Sequence, residues 1–169
     1  MNISLTWMPW SWKSNLWRKL AEYKNMNFLD IDDYMEEINN KTVWEILREK
    51  WEEKFLDYEE EIIQSLKPNN TIISCSWSIP LKENAMKHLS DISTIIYINI
   101  PLKTILNRLN RMKVDRIVWM WTMNMEEILE YRESFYLKNY HYMFENEWIW
   151  TKDEVFEDFL NFIKSNNIF

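Results

Sequence analysis

The apolar positions along this chain change their period several times. Residues 2–6 hold Ile3 and Leu5 in a short apolar run, and 13–24 then take helical spacing, with Leu16, Leu20 and Tyr23 on one face. The stretch 27–31 (NFLDI) reads as a second strand ending in acids, and 32–38 and 43–66 as charge-rich helices. Lys67-Pro68-Asn69-Asn70 is a turn. TIISCS at 71–76 and STIIYINI at 93–100 are rich in β-branched residues, as strands covered on both faces are. Pro80 and Pro101 each start a following helix, a favoured place for proline. Residues 101–112 and 125–139 are helical, and YHYMF at 140–144 reads as a last strand. The stretch 152–165 is a terminal amphipathic helix built on Val155, Phe159, Phe162 and Ile163. Strands alternating with helices predict an α/β, three-layer domain: a five-stranded parallel sheet with helices on both faces. The chain has 169 residues and no internal repeat, low-complexity tract or linker, so a single domain over 1–169 is expected.

Charge and composition narrow the partners. The net charge is −7, spread along the chain, which argues against a nucleic-acid surface while leaving room for a small anionic ligand held locally. No apolar run approaches the roughly 20 residues of a membrane helix, and no signal peptide is legible, so no membrane association and a cytoplasmic location are expected. Cys75 is the one cysteine; it excludes an internal disulfide and suits a reducing compartment. A monomer is expected.

One feature of the composition is abnormal: no glycine and eleven tryptophans. At the usual frequency of about 7%, a chain of this length would hold roughly twelve glycines. Reading tryptophan as glycine repairs several motifs at once. Residues 7–14 (WMPWSWKS) become G-M-P-G-S-G-K-S, Trp17 falls where a glycine lets a helix pack closely, Trp44 and Trp51 lie on a polar helical stretch, and Trp148 sits in a polar turn. Some bacteria read UGA as glycine, and translation with a table that reads it as tryptophan would produce this pattern. The alternatives are a deliberate substitution and a truly tryptophan-rich chain.

Two constellations carry candidate chemistry. The first is 7–14, which follows a strand and opens a helix. In a loop of the form G-x-x-x-x-G-K-[ST], backbone N–H groups and the helix N-terminus cradle phosphate, the lysine (Lys13) reaches the β/γ-phosphates and the hydroxyl (Ser14) holds Mg²⁺. Trp7, Met8, Pro9, Trp10, Ser11, Trp12, Lys13, Ser14 and Asn15 are therefore the candidate nucleotide contacts. The second is FLDIDDYMEE, in which strand alternation would place Asp30 and Asp32 on one face at the carboxyl edge of the sheet, one near Mg²⁺ and the other accepting a hydroxyl proton; Asp33 fits a helix cap. The remaining candidates read as structural. His88 and His141 have no partner at metal-ligand spacing, Cys75 ends an apolar strand, and Phe135, Tyr136, Tyr140, Tyr142 and Phe144 read as core. Glu59-Glu60-Glu61 reads as a solvated helix face.

With these residues in order, the chain resembles the shikimate kinases, small phosphate-loop (P-loop) kinases. The resemblance runs over nearly the full length: the loop at 7–14, LDID at 29–32, Phe55 in WEEKFLDYEEE against a G-E-x-x-F-R-x-x-E pattern, the small-residue turn CSWSIP at 75–80, Arg116 before IVWMWTM, and Arg132 in EYRESFYLKNY. It implies a P-loop kinase fold with a small lid over about 113–124, ATP and Mg²⁺ as cofactors, and phosphorylation of a shikimate hydroxyl to give shikimate 3-phosphate in aromatic amino-acid biosynthesis. It further implies Asp32 as base, Asp30 near the metal, Arg132 on the substrate carboxylate, Phe55 and Trp77 beside the substrate, and Lys13 and Arg116 stabilising the transferring phosphate. Glu59 matches a family position near the substrate. The family's second carboxylate-binding arginine is replaced by Leu56, its glycine triplet by Ser76-Trp77-Ser78, and a proline by Ser134. These departures keep open a P-loop kinase for another small hydroxylated acceptor, or an inactive nucleotide-binding domain if the tryptophans are real.

The glycine reading makes a direct prediction. In protein isolated from its native host, mass spectrometry of the peptide spanning 2–13 gives glycine masses at positions 7, 10 and 12; tryptophan masses there overturn it.

Overall fold

In the computed structural model, which describes residues 1–8, 15–109, 124–145 and 151–169, five strands form one parallel sheet. They are β1 (Ile3–Trp7), β2 (Asn27–Asp30), β3 (Thr71–Ser74), β4 (Thr94–Asn99) and β5 (Tyr142–Glu145), in the order β2-β3-β1-β4-β5. The helices are α1 (Asn15–Lys24), α2 (Ile31–Asn39), α3 (Val43–Ser65), α4 (Glu83–Ile92), α5 (Leu102–Leu109), α6 (Met125–Tyr136) and α7 (Lys152–Ser165), with a short 3₁₀ turn at Ile79–Leu81 holding Pro80. The expected α/β architecture is present, and α7 has its expected bounds.

Every residue of β1 and β3 is buried. Such strands are stable only if both faces are covered, and alternation sends neighbours to opposite layers. Ile72 joins Ile3, Leu5, Leu20, Phe159 and Ile163 under α1 and α7, whereas Ile73 joins Met35, Phe55, Ile63 and Leu89 under α2, α3 and α4. Polar groups at the amino-terminal edge are paired: Asn2 Nδ2 donates to the carbonyls of Pro68 and Ile92 at 3.0 and 2.9 Å, and its Oδ1 accepts from Thr71 N–H at 3.0 Å. His141 Nδ1 accepts from Ile95 N–H at 2.9 Å, which leaves its Nε2 the proton, 3.1 Å from Ser90 Oγ.

Three expectations are corrected. The second strand stops at Asp30 rather than residue 31, so Asp32 stands in a helical turn and not on the strand. The cap of α2 is Asp30, not Asp33: its Oδ1 accepts from the N–H groups of Asp32 at 3.0 Å and Asp33 at 3.4 Å. Of the five aromatics read as core, Tyr136 and Phe144 are buried while Tyr140 is 36% exposed, because it lies in the link between α6 and β5.

The long charge-rich helix is also not continuous. Trp51, with φ 62° and ψ 162°, breaks α3 into two arms. Asn25, Asn40, Asn70 and Asn167 take the other positive φ values among the described residues, near the left-handed helical well that asparagine tolerates. Trp51 lies outside that well, in a region open essentially to glycine, and its side chain is 79% exposed. Trp7 and Trp17 are instead buried, with ring centroids 6.2 Å apart, and their indole N–H groups have no hydrogen-bond partner among the described residues.

Strain of this kind costs about 1–3 kcal/mol. Trp51→Gly is therefore expected to raise stability in chemical denaturation by about that amount; a loss of stability would show that the backbone at 51 is not strained.

Candidate functional site

The pocket that gathers most of the predicted acceptor residues lies beyond the carboxyl ends of β2 and β3, the side on which open parallel sheets bind ligands. Its volume is about 440 Å³. The first turn of α2 supplies Asp32 and Asp33, the turn after β3 supplies Ser76, Trp77 and Ser78, and α6 supplies Arg132. Both arms of α3 contribute: Val43, Trp44 and Leu47 precede the break, and Phe55 and Glu59 follow it. A straight helix presents one stripe to a neighbour, whereas the break at Trp51 lets one element wall the pocket on two stretches.

Local chemistry fixes these side chains. Ser74 and Asp30 are register partners in the sheet, and Ser74 Oγ donates to Asp30 Oδ2 at 2.7 Å. With Oδ1 on the cap, Asp30 sets the start of α2 and so aims Asp32 at the pocket. Asp30 itself is not among the pocket-lining residues. Arg132 and Tyr136 lie four residues apart on one helical face. Tyr136 Oη donates to the Trp77 carbonyl at 2.6 Å, which pins the 76–78 turn against α6.

The electrostatics are those of a buried cation among acids. Arg132 is 1% exposed; burial pulls its pKa below the ordinary value, while Tyr136, Glu59 and Glu52 favour its charge. Glu59 is fully buried, so the acidic run is not a uniformly solvated face: Glu61 is exposed and Glu60 receives Lys82 at 2.9 Å. Burial pushes the Glu59 carboxyl up to about 7, against the stabilising hydroxyls of Ser76 and Ser78. Ser76 Oγ donates to Glu59 Oε1; Ser78 faces the carboxyl without a hydrogen bond to Oε2, which has no partner among the described residues. Burial also raises the Cys75 thiol and the Tyr136 phenol, so both stay neutral.

The structure thus brings Asp32, Phe55, Trp77 and Arg132 together. Leu56 is turned into the core with Ile62, Ile63 and Met86, away from the pocket lining. On the nucleotide side, Trp7 ends β1, Met8 is buried beside it, and Asn15 opens α1. Pro9, Trp10, Ser11, Trp12, Lys13, Ser14 and Arg116 lie outside the described residues, as do Trp148 and the expected lid apart from Asn124, which caps α6. The frame fits a nucleotide phosphate: a buried strand ends at residue 7 and a helix begins at 15, with a lysine and a serine directly before it. Glu59 lines the pocket as the family position it matches implies, although its run reads as a solvated face, and Ser76 and Ser78, noted in the sequence as departures from the family's glycine triplet, line it too. Helical spacing held the signal, since Phe55, Glu59 and Ile62 or Ile63 share one face.

A parallel five-stranded sheet in the order β2-β3-β1-β4-β5 with helices on both faces is the fold of small phosphate-loop kinases. The sequence model of the shikimate kinase family matches residues 11–164, and the chain belongs to that family. It is 32% identical over 115 residues to a shikimate kinase of Clostridium botulinum (strain Okra / Type B1), covering 68% of each chain. It is 30% identical over 165 residues to threonine synthase-like 1 of Macaca fascicularis, covering 96% of this chain; it spans 22% of that relative's length. Shikimate kinase from Acinetobacter baumannii, solved in complex with shikimate, superposes with a TM-score of 0.77 at 20% identity, over 99% of this chain and 95% of that one.

The raised Glu59 carboxyl links pH to stability. Between its ordinary 4.5 and about 7 the unfolded chain ionises while the native chain stays protonated, so stability falls as pH rises through that window and stays reduced above it. The shift corresponds to about 3 kcal/mol. Thermal melts should therefore show Glu59→Gln gaining on the parent between pH 5 and pH 8; a constant difference would contradict a buried acid at this position.

Proposed function

We propose that the protein transfers the γ-phosphoryl group of ATP to a hydroxyl of shikimate, giving shikimate 3-phosphate for aromatic amino-acid biosynthesis. The observation that carries the reading is one pocket lined by the Asp32 carboxylate and the buried Arg132 guanidinium. Arg132 is suited to a bidentate pair with the acceptor carboxylate, and Phe55 offers an apolar wall to its ring. Asp32 takes the proton of the attacking hydroxyl. When bound, ATP supplies the phosphoryl group and leaves as ADP, and Mg²⁺ offsets the charge. Lys13 and Ser14 would hold them with the backbone of 7–15, Asp30 would stand near the metal, and Arg116 would stabilise the transferring charge.

The reading includes glycine at the eleven tryptophan positions of the native protein. Its support is the composition, the backbone of Trp51, and the buried indole N–H groups of Trp7 and Trp17, which have no hydrogen-bond partner among the described residues. A glycine at position 12 leaves the backbone free to approach phosphate.

A second reading, a kinase for another small hydroxylated acceptor, draws on the single guanidinium among the described pocket-lining residues, with Leu56 in the core. A panel of hydroxy acids and polyols, assayed with ATP and Mg²⁺ on the chain carrying glycine at the eleven positions, separates the two. Shikimate turnover is expected; turnover of another panel member alone supports the second reading. Asp32→Asn should lower kcat by about 10²–10⁴-fold, the usual weight of a general base, with little effect on acceptor binding. Full activity in that variant would remove Asp32 as the base.

A further inference from the structure

The acceptor pocket holds a carboxylic acid that the proposed chemistry does not use. Glu59 is fully buried in the pocket wall, with Oε1 taken by Ser76 and Oε2 without a hydrogen-bond partner among the described residues. An orphaned, buried carboxyl oxygen is costly in a structural role, and here it borders a space sized for a small ligand. We propose that Glu59 sets which acceptors the pocket takes. As the anion it competes with the carboxylate of a hydroxylated monocarboxylic acid for the Arg132 guanidinium and turns such acceptors away; as the neutral acid it does not compete. The inference rests on the acceptor reading of the pocket and narrows its substrate class.

The groups facing Glu59 define the switch. From α2 comes Asp32, whose negative charge favours the protonated acid. From α6 come Arg132, which favours the anion, and Tyr136, which burial keeps neutral. From the end of β3 and its turn come Cys75, also kept neutral, and the Ser76 and Ser78 hydroxyls, which favour the anion. On α3 itself, Glu52 also favours the charge of Arg132. Glu59, pushed up to about 7, changes charge within the neutral range. A guanidinium held out of water binds whichever carboxylate reaches it, so an acceptor carboxylate and an ionised Glu59 are rivals. Linkage is reciprocal: an acceptor that binds better when Glu59 is protonated also makes Glu59 hold its proton more tightly. An uncharged polyol of the same size has no carboxylate to lose and escapes the effect.

The test is shikimate binding by calorimetry at pH 6 and pH 8, on the full chain without ATP, alongside turnover with ATP. Shikimate affinity is expected to fall at least about fivefold from pH 6 to pH 8, in the range of ordinary coupling between sites. Glu59→Gln should flatten this dependence. Ser76→Ala, which keeps the acid and removes a hydrogen bond favouring its anion, should move the inflection to higher pH. Phosphorylation of shikimate with equal affinity at both pH values, or with the same fall in Glu59→Gln, overturns the inference and leaves the kinase reading standing. The expected pH dependence without phosphoryl transfer removes the kinase reading alone. No shikimate binding at either pH overturns both.

Discussion

A guanidinium removed from water is the constraint around which the pocket beyond β2 and β3 is arranged. Arg132 is 1% exposed, and a buried cation is tolerated only where other groups replace its hydration. Glu52 and Glu59 both come from the arm of α3 that follows its break, and Tyr136 from the next turn of α6. Each of these elements is then held in place for reasons of its own. Tyr136 ties α6 to the 76–78 turn through the Trp77 carbonyl, and that turn carries the serine that receives Glu59. The cation, its counter-charges and the pocket wall thus form one connected unit, in which no member can be moved without exposing another to an unfavourable burial.

The bend in α3 is the backbone half of the same arrangement. With a straight helix from Val43 to Ser65, Val43, Leu47, Phe55 and Glu59 could not all line one pocket. The bend depends on a φ, ψ pair at residue 51 that a Cβ resists. At the four left-handed positions among the described residues the chain uses asparagine, the usual substitute where glycine is not needed, so residue 51 stands apart in its conformation and its side chain. A residue type at a sharp bend and an anomaly of composition have one explanation if the position is glycine.

Much of this was legible in the sequence, and the parts that were not share a cause. The strands and α7 followed from β-branched runs and helical spacing, because burial on both faces leaves a strong local signature. Asp32, Phe55 and Arg132 stood out through short motifs, and the pocket brings them together. Asp32 was placed on the strand and the cap on Asp33 because the cap closes one residue before the strand was expected to end; a single-residue boundary decides whether two aspartates share a strand face. Glu59 was obscured by its neighbours. Three consecutive glutamates span most of a helical turn, and the one buried member is set by packing against β3 and α6, which no local window contains.

That contrast separates the two halves of the proposed site by their physics. A phosphate loop in general grips its ligand by backbone N–H groups of one continuous stretch, so the signature of such a loop is contiguous, and side chains in it matter mainly by being absent. The proposed acceptor pocket is lined by side chains from α2, α3, the 76–78 turn and α6, and its signature is dispersed over about a hundred residues. A substitution such as Leu56, buried in the core among Ile62, Ile63 and Met86, then costs the fold little while removing a cation from the choice of acceptors. Ser76 and Ser78 shift the balance in the same direction, since their hydroxyls can hold an acid that would otherwise need a cation beside it. In such a pocket the selectivity for acceptor charge passes from the number of arginines to the protonation of one carboxyl, a property that depends on solvent exposure and hydrogen bonds rather than on residue identity alone.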